Sequence, residues 1–323
     1  MDGRPQPGVR HAWHVSFTSV NFEFAEPFLG SHAIAEGAVT ERALRSPLFT
    51  RLLRNVYVAS TVPVTHVLRC RAAALLAPPG AVLTGCSAAA VRGVELAGPH
   101  DPVELILPES VLFALRDGVH IRRTSRGSID SEPWREIRLA SSPRLALDIL
   151  TNTKLHRSLA RVVGYLDVLL RAGVVDVPVL ADYLKGRRDN GIVRAKRALR
   201  LADPRSESIP ESELRVWLSV AGLVPDLQVS VVDEQGAFVG RLDLAFPERK
   251  VAVEYDGDWH REGDQPQRDE ERRSAIRALG WRFVIVTKAD LYGSPKAVVS
   301  TIRAELSRES AVQPRPGRAR PVS

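Results

Sequence analysis

The chain has 323 residues, of which 44% are hydrophobic and 26% are charged. At roughly 100–200 residues per domain, this length allows two or three domains, and the ordinary composition excludes collagen-like, low-complexity and fully disordered proteins. The longest apolar run, residues 72–91, is broken by Pro78-Pro79-Gly80 and predicts no membrane span. His11 and His14 interrupt the N-terminal segment where an export signal needs continuous apolar residues, so we expect a cytoplasmic protein.

Charge is distributed unevenly along the chain, whose formal net charge is +7. Residues 1–202 carry 27 Lys and Arg against 18 Asp and Glu, whereas residues 203–306 carry 14 against 19. Residues 307–323 are basic again, with 4 against 1. A basic front beside an acidic segment predicts a polyanionic partner such as DNA and a separate purpose for the carboxylates.

The front of the chain predicts an arm and a DNA-binding region. Residues 1–28 show no periodicity and predict a flexible arm. In the region 29–150, Ser31 and Thr40 can cap two short helices, and a β-branched run at 52–58 follows them. This pattern resembles a winged helix, and the alternative is a small helical subdomain whose arginines are only solvated. The arginines concerned are Arg42, Arg45, Arg51 and Arg54.

A helical connector follows this region. Before it, we predict a helix over 66–76, strands at 81–84, 103–107 and 119–122, and a helix over 143–150. Residues 151–204 predict the mostly helical connector. The positive charges between Lys185 and Arg200 belong either to a solvated helix face or to a surface that follows phosphates. Residues 307–323, rich in proline, predict a disordered basic tail.

Residues 205–306 predict a compact core of alternating elements. One helix begins at Pro210, and another begins at Asp264 or Gln265 and is closed by Gly280. The predicted strands lie at 229–232, 238–246, 250–256 and 281–287, and a last helix covers 295–306. The order α-β-β-β-α-β-α predicts the α/β fold class, with a mostly helical α+β region in front of this core.

Three carboxylates of the predicted hairpin can form a metal site. Side chains alternate between the faces of a strand, and short-turn pairing would bring Asp243 together with Glu254 and Asp256. Ionising three clustered carboxylates costs several kcal/mol, which a hard divalent ion such as Mg²⁺ or Mn²⁺ offsets. Such a metal can activate water for attack on a phosphate. The alternative is an exposed hairpin with one charged face, although the apolar flanks favour a buried strand.

Five motifs in this segment form a recognisable set. They are Pro210-Glu211-x-x-Leu214, Arg241-Leu242-Asp243-Leu244, Val253-Glu254-Tyr255-Asp256-Gly257-x-x-His260, Arg268-Asp269-x-x-Arg272 and Gly280-Trp281-Arg282. The set resembles the actinobacterial endonuclease-domain proteins, a family of unknown function related to the very-short-patch-repair endonucleases of the PD-(D/E)XK superfamily. The resemblance implies a restriction-endonuclease-like αβββαβ core. It implies that Asp243 and Glu254 are metal ligands, that Glu211 is a supporting acid, and that Asp256 and His260 belong to the same site.

Two positions leave site roles open. Where many nucleases of the superfamily have Glu-x-Lys, this chain has Asp256 after Glu254, and His260 could then supply the base or proton donor. Glu213 competes with Glu211 as the helix acid, and the spacing of the family's motif favours Glu211. Motifs for other kinds of catalytic or metal site are weak in this sequence. The two cysteines predict small buried side chains rather than a disulfide framework or a thiolate metal site.

These features lead to one main functional hypothesis and two alternatives. The main hypothesis is a metal-dependent DNA endonuclease with a basic, DNA-binding N-terminal region. The N-terminal region is also similar, more faintly, to AbiEi-type antitoxins, which implies no role for any particular residue. The first alternative is therefore an antitoxin-like or transcription-regulating DNA-binding protein with an inactive nuclease fold. The second is a nuclease that acts on RNA.

Overall fold

The computed structural model describes residues 24–113, 117–125, 129–257 and 265–308, apart from the side chains of 265 and 266. The chain divides into two compact units on either side of the Leu145–Ala146 bond. Both units contain helices and sheets, which confirms the predicted α/β fold class. Within the described ranges, every helix is too short or too polar to cross a lipid bilayer.

The first unit begins with a small three-stranded sheet in the order β1-β3-β2. Its elements are β1 (Phe28–Leu29), α1 (Gly30–Ala35), α2 (Glu41–Leu44), β2 (Phe49–Leu53) and β3 (Val56–Ala59). The side chain of Thr40 caps α2, as predicted. Ser31 instead lies inside α1, and Asn55 of the β2–β3 turn binds it: Oδ1 accepts from the Ser31 N–H at 3.0 Å. Asn55 has φ 64° and divides the predicted strand 52–58 into a hairpin.

A five-stranded sheet follows, in the order β6-β5-β4-β8-β7. Its elements are α3 (His66–Ala74), β4 (Val82–Leu83), α4 (Gly85–Val91), β5 (Val103–Pro108), β6 (Val119–Thr124), β7 (Ser131–Trp134) and β8 (Ile137–Ala140). Strands β7 and β8 were not predicted, so this region has more strand than expected. Pro133 lies within β7, which is tolerated because β7 is an edge strand. Cys70 and Cys86 are both buried, as predicted.

Helices make up the start of the second unit. They are α5 (Ser142–Thr151), which spans the division, α6 (Leu159–Arg171), α7 (Val177–Leu184), α8 (Ile192–Leu201) and α9 (Ile209–Val220). Helix α6 packs closely against the start of α9, because a Cβ at Gly164 would lie 3.0 Å from Cγ2 of Ile209. The helices of residues 151–204 therefore belong to the same compact unit as the sheet that follows.

The C-terminal sheet has four strands in the order β12-β11-β10-β9. Its elements are β9 (Asp226–Val232), β10 (Phe238–Phe246), β11 (Val251–Asp256), α10 (Gln265–Ala278), β12 (Arg282–Thr287), α11 (Lys288–Gly293) and α12 (Pro295–Ser307). Strands β9, β10 and β11 are antiparallel, and α10 carries the chain to β12, which is parallel to β11. The predicted order is confirmed, with α11 as one further short helix.

Apolar clusters cover both faces of this sheet. On one face Leu214 of α9 and Ile302 of α12 pack with Leu244 and Val253. On the other face Ile276 of α10 packs with strand residues. Because helices cover both faces, a polar side chain on a central strand must find partners inside the unit or collect at a strand end.

Candidate metal centre

The carboxylates predicted on β10 and β11 lie beside each other in the sheet. Leu244 pairs with Val253 in the antiparallel register, and the next position along β10 sets Asp243 opposite Glu254. Asp256 ends β11, two residues beyond Glu254. The predicted short-turn hairpin therefore forms in the register on which the metal site was based.

The regular alternation of side chains between the two faces of the sheet is interrupted at Asp243. Gln228 of β9 lies opposite Asp243 in the register and has φ 55°, a left-handed backbone. Leu227 and Val229 on either side of it pack in different apolar clusters, although a regular strand would put both on one face. The two leucines that flank Asp243 divide between the clusters in the same way. Strand parity alone therefore does not determine the environment of Asp243.

Asp243 lies where negative charge is unfavourable. Burial is the largest cause that raises its pKa, from 3.8 to about 7, and the nearby charges of Glu211 and Glu254 act in the same direction. Arg272 opposes them without restoring the ordinary value. At neutral pH the carboxyl is therefore close to half protonated, and a cation beside it would favour the ionised form.

Glu254 is compensated by two arginines of α10. It is 3% exposed, and Arg272 donates from Nη1 to Oε1 at 3.0 Å and from Nη2 to Oε2 at 3.2 Å. Arg273 donates from Nε to Oε2 at 2.9 Å. Charge-assisted bonds of this kind stabilise a buried carboxylate. Glu254 was predicted as a metal ligand, and in the structure its charge is already balanced by these two side chains.

The two acids of α9 have different surroundings. Glu211 lies in the first turn, where its Oε1 accepts a bond of 2.7 Å from the hydroxyl of Ser208, and its charge acts on Asp243. Glu213 is 3% exposed, and both of its oxygens accept bonds from an arginine and a tyrosine of a separate pocket. The structure therefore brings Glu211, and not Glu213, to the carboxylates of the sheet.

Two predicted site residues remain, Asp256 and His260. Asp256 is half-buried opposite Thr287 of β12, and it is not among the groups that most affect Asp243. His260 lies outside the described residues. The charged groups that act on Asp243 are thus Glu211, Glu254, Arg272 and Glu207.

The oxygen donors at this position fit a hard divalent cation. Asp243 supplies a carboxylate that lacks a strong cationic partner, and Glu211 and Glu254 lie near it. Gln228, opposite Asp243, adds an amide whose Oε1 and Nε2 are both buried and lack a hydrogen-bond partner among the described residues. Mg²⁺ and Mn²⁺ favour such oxygen ligands. The donor types therefore suit the metal, and Glu254 would be shared between it and the two arginines. Among the described residues, the ligand oxygens of Asp243, Glu211 and Glu254 do not all lie within 4.8 Å of one another.

Three residues of this centre were missed by sequence reasoning. Arg272 belongs to a recognised motif, but neither it nor Arg273 was given a role; adjacent arginines on the helix after an acidic strand are a usable signal. Gln228 carries no such signal, because a left-handed residue inside a strand is not encoded by a recognisable residue type.

Comparison with known proteins gives limited further information. The chain is 31% identical over 174 residues to two uncharacterized proteins of Mycobacterium tuberculosis, MT2308 of strain CDC 1551 / Oshkosh and Rv2248 of strain ATCC 25618 / H37Rv. The match covers 53% of this chain and 63% of each relative, so the chain spans less than two thirds of the length of these relatives. No family model matches the chain, and no solved structure matches it significantly.

Proposed function

We propose that the second unit is a metal-dependent DNA endonuclease that hydrolyses phosphodiester bonds with a metal-activated water. The carrying observation is Asp243, a half-buried carboxyl whose pKa is raised to about 7 by burial and by the neighbouring acids Glu211, Glu254 and Glu207. Strongly perturbed carboxyls of this kind concentrate at functional sites. The five motifs that resemble the endonuclease-domain family, and their relation to the PD-(D/E)XK superfamily, support the same proposal.

Each residue has a distinct task in this proposal. Asp243 holds Mg²⁺ or Mn²⁺, and Glu254 is the second ligand, oriented by the hydrogen bonds from Arg272 and Arg273. Glu211, from the first turn of α9, adds negative charge that favours the cation. The bound metal supplies an acidified water and a positive charge for the phosphate oxygen.

The basic surface that would hold DNA lies partly in this same unit. Residues 146–202 carry 11 Lys and Arg against 5 Asp and Glu, whereas residues 1–145 carry 16 against 13. Several of these cations on and around α7 and α8 are exposed, namely Lys185, Arg188, Arg197 and Arg200. Exposed cations bind DNA phosphates by releasing counterions. We therefore assign DNA binding to this helical surface as well as to the winged-helix-like region of the first unit.

Two charge-matched triple variants test which surface holds DNA. The first variant changes three exposed arginines of the second unit to Gln, namely Arg188, Arg197 and Arg200. The second variant changes three exposed arginines of the first unit to Gln, namely Arg42, Arg51 and Arg54. Each lost phosphate contact should lower the slope of log affinity against log salt by roughly 0.9. Anisotropy of labelled duplex DNA, in EDTA and at several salt concentrations, measures that slope. We expect the first triple variant to lose affinity; an unchanged slope there would contradict the assignment.

A cleavage screen tests the enzymatic proposal directly. The full chain is incubated with plasmid, mismatched duplex, single-stranded DNA and RNA, each with Mg²⁺, Mn²⁺ or EDTA. We expect cleavage of at least one DNA form that depends on the divalent ion and is strongly reduced by Glu254→Gln. The exposed Glu248→Gln in the turn after β10 is the matched control and should cleave normally. Cleavage that persists in EDTA, or DNA left intact under every condition, would contradict the proposal.

One observation favours a second function, that of an antitoxin-like or transcription-regulating DNA-binding protein. Arg272 and Arg273 compensate Glu254 without any metal, so this part of the cluster does not require a cation to remain folded. Such a protein would bind DNA in EDTA, cleave none of the tested forms, and melt at the same temperature with and without Mg²⁺. The same screen, combined with thermal melting, separates the two functions.

A further inference from the structure

A separate pocket in the second unit has no task in the proposed cleavage. Its cavity is about 430 Å³, within the range of roughly 300–1,000 Å³ that is usual for small-molecule sites. Three aromatic side chains and two arginines contribute to its lining, namely Tyr165, Trp217, Tyr292, Arg157 and Arg161. Flat rings beside guanidinium groups are suited to a ligand that is both aromatic and anionic.

A hydrogen-bonded network holds the floor of this pocket. The buried Glu213 accepts bonds from Arg161 Nε at 2.8 Å and from the Tyr292 hydroxyl at 2.6 Å. Arg161 also donates to the Tyr292 hydroxyl at 3.2 Å, and its guanidinium carbon lies 5.5 Å from the centre of that ring. Glu213 offsets the charge of one arginine, so the exposed Arg157 leaves the lining net positive.

Two large aromatic side chains of the pocket remain open to solvent. Trp217 is 38% exposed and Tyr292 is 44% exposed. Trp217 and Glu211 lie six residues apart on α9, which is about 9 Å along the helix axis. One helix therefore carries both an acid of the candidate metal centre and an aromatic wall of this pocket.

We propose that this pocket binds one unstacked nucleotide of a DNA strand, with its base against Trp217 and Tyr292 and its phosphate at Arg157 and Arg161. Aromatic platforms beside cations are a general means of holding single-stranded nucleic acid. This inference rests on the proposed nuclease function and specifies its substrate as DNA that is single-stranded or locally opened.

The test measures binding of an oligothymidylate of about eight nucleotides to the full chain in EDTA. We expect the oligonucleotide to change the fluorescence of Trp217, identified as the part of the signal absent in Trp217→Leu. Tyr292→Leu should weaken binding by roughly 5- to 150-fold, the effect expected for loss of one stacking surface. Arg157→Ala should lower the salt slope by roughly 0.7.

Two further variants make the result specific. Arg249, an exposed arginine in the turn after β10, provides the charge-matched control, and Arg249→Ala should bind as the wild type does. Arg157→Lys should restore the salt slope. The proposal would be overturned if wild type and Arg157→Ala bind the oligonucleotide with equal affinity and equal salt slope. It would also be overturned if the oligonucleotide leaves the Trp217 fluorescence unchanged, or if a basic or neutral peptide binds saturably and the oligonucleotide cannot displace it.

Failure of this proposal is distinguishable from failure of the nuclease proposal. Binding is measured without metal, so it does not depend on cleavage. A lower salt slope for oligonucleotide binding in Arg157→Ala supports the pocket even where no DNA form is cleaved. Metal-dependent cleavage together with unchanged oligonucleotide binding in the pocket variants supports the nuclease and overturns the pocket.

Discussion

Asp243→Asn should remove the metal-dependent cleavage and, in the metal-free protein above pH 7, should raise the free energy of unfolding. In the folded state burial raises the pKa of Asp243 to about 7, against an ordinary value of 3.8. The folded state therefore binds this proton more tightly than the unfolded state does. The associated stability is complete below the ordinary pKa and is lost as pH rises through about 7.

The expected changes in stability and in cleavage follow from the raised pKa of Asp243 and from the catalytic role of the metal. Complete loss of the proton costs at most about 4 kcal/mol by linkage, and the amide of Asn avoids that cost. Mg²⁺ should stabilise the wild type most above pH 7, where no proton competes, and should leave Asp243→Asn unchanged. Cleavage should fall roughly 10³-fold or more, since a catalytic metal contributes several kcal/mol to the transition state.

Denaturant unfolding at acidic and mildly basic pH, with Mg²⁺ or with EDTA, measures these effects beside the cleavage assay. Asp226→Asn is the matched control, because Asp226 is an exposed aspartate of the same sheet. It should alter neither cleavage nor the response to Mg²⁺. A fully active Asp243→Asn, or a wild type whose stability Mg²⁺ leaves unchanged at basic pH, would contradict the metal assignment.

Arg215→Met should destabilise the second unit by roughly 3–5 kcal/mol. Arg215 is 5% exposed and donates to Asp167 at 2.7 Å, to the hydroxyl of Ser206 at 3.1 Å and to the carbonyl of Leu201 at 2.6 Å. Burial raises the pKa of the fully buried Asp167 to about 6, although Arg215 opposes the shift. Without the arginine, the carboxyl must either take up a proton or remain as an uncompensated buried charge.

Urea unfolding near neutral pH measures this loss, which should grow as pH rises because the unpaired carboxyl would ionise. Replacing both partners, Arg215→Met with Asp167→Leu, should recover most of the stability, since neither charge is then buried alone. The matched control is Arg205→Met, whose arginine is 61% exposed and pairs with Asp203. It should cost no more than about 1 kcal/mol. A loss that small for Arg215→Met would contradict the role of the pair.

The Asp167–Arg215 pair also explains how the connector relates to the sheet. Asp167 lies on α6 and Arg215 on α9, so the pair joins the helices of residues 151–204 to the unit that contains the carboxylates. The sequence predicted a helical connector at residues 151–204 that is separate from the core of residues 205–306. The contacts across that point join them in one compact unit, and the basic helices belong with the acidic sheet.

The sequence by itself determined the C-terminal elements well. Alternation of apolar and polar residues predicted strand 238–246 with both ends as observed, and the helix signals at Pro210 and Pro295 lie in the first turns of α9 and α12. The short turn between β10 and β11 also predicted the register that sets Asp243 opposite Glu254. These features were predictable because helix caps, turns and strand periodicity depend on neighbours in the chain.

Only the tertiary structure decided how the carboxylates are balanced. Arg272 and Arg273 reach Glu254 because α10 packs across the sheet. These two arginines follow Glu254 by 18 and 19 positions in the chain. Gln228 lies opposite Asp243 in β9 and has a left-handed backbone conformation, which no residue pattern predicts. Ion pairs and burial depend on which elements pack together, and that information is not local. The pKa of Asp243, on which the proposed chemistry depends, therefore follows from packing rather than from motif spacing.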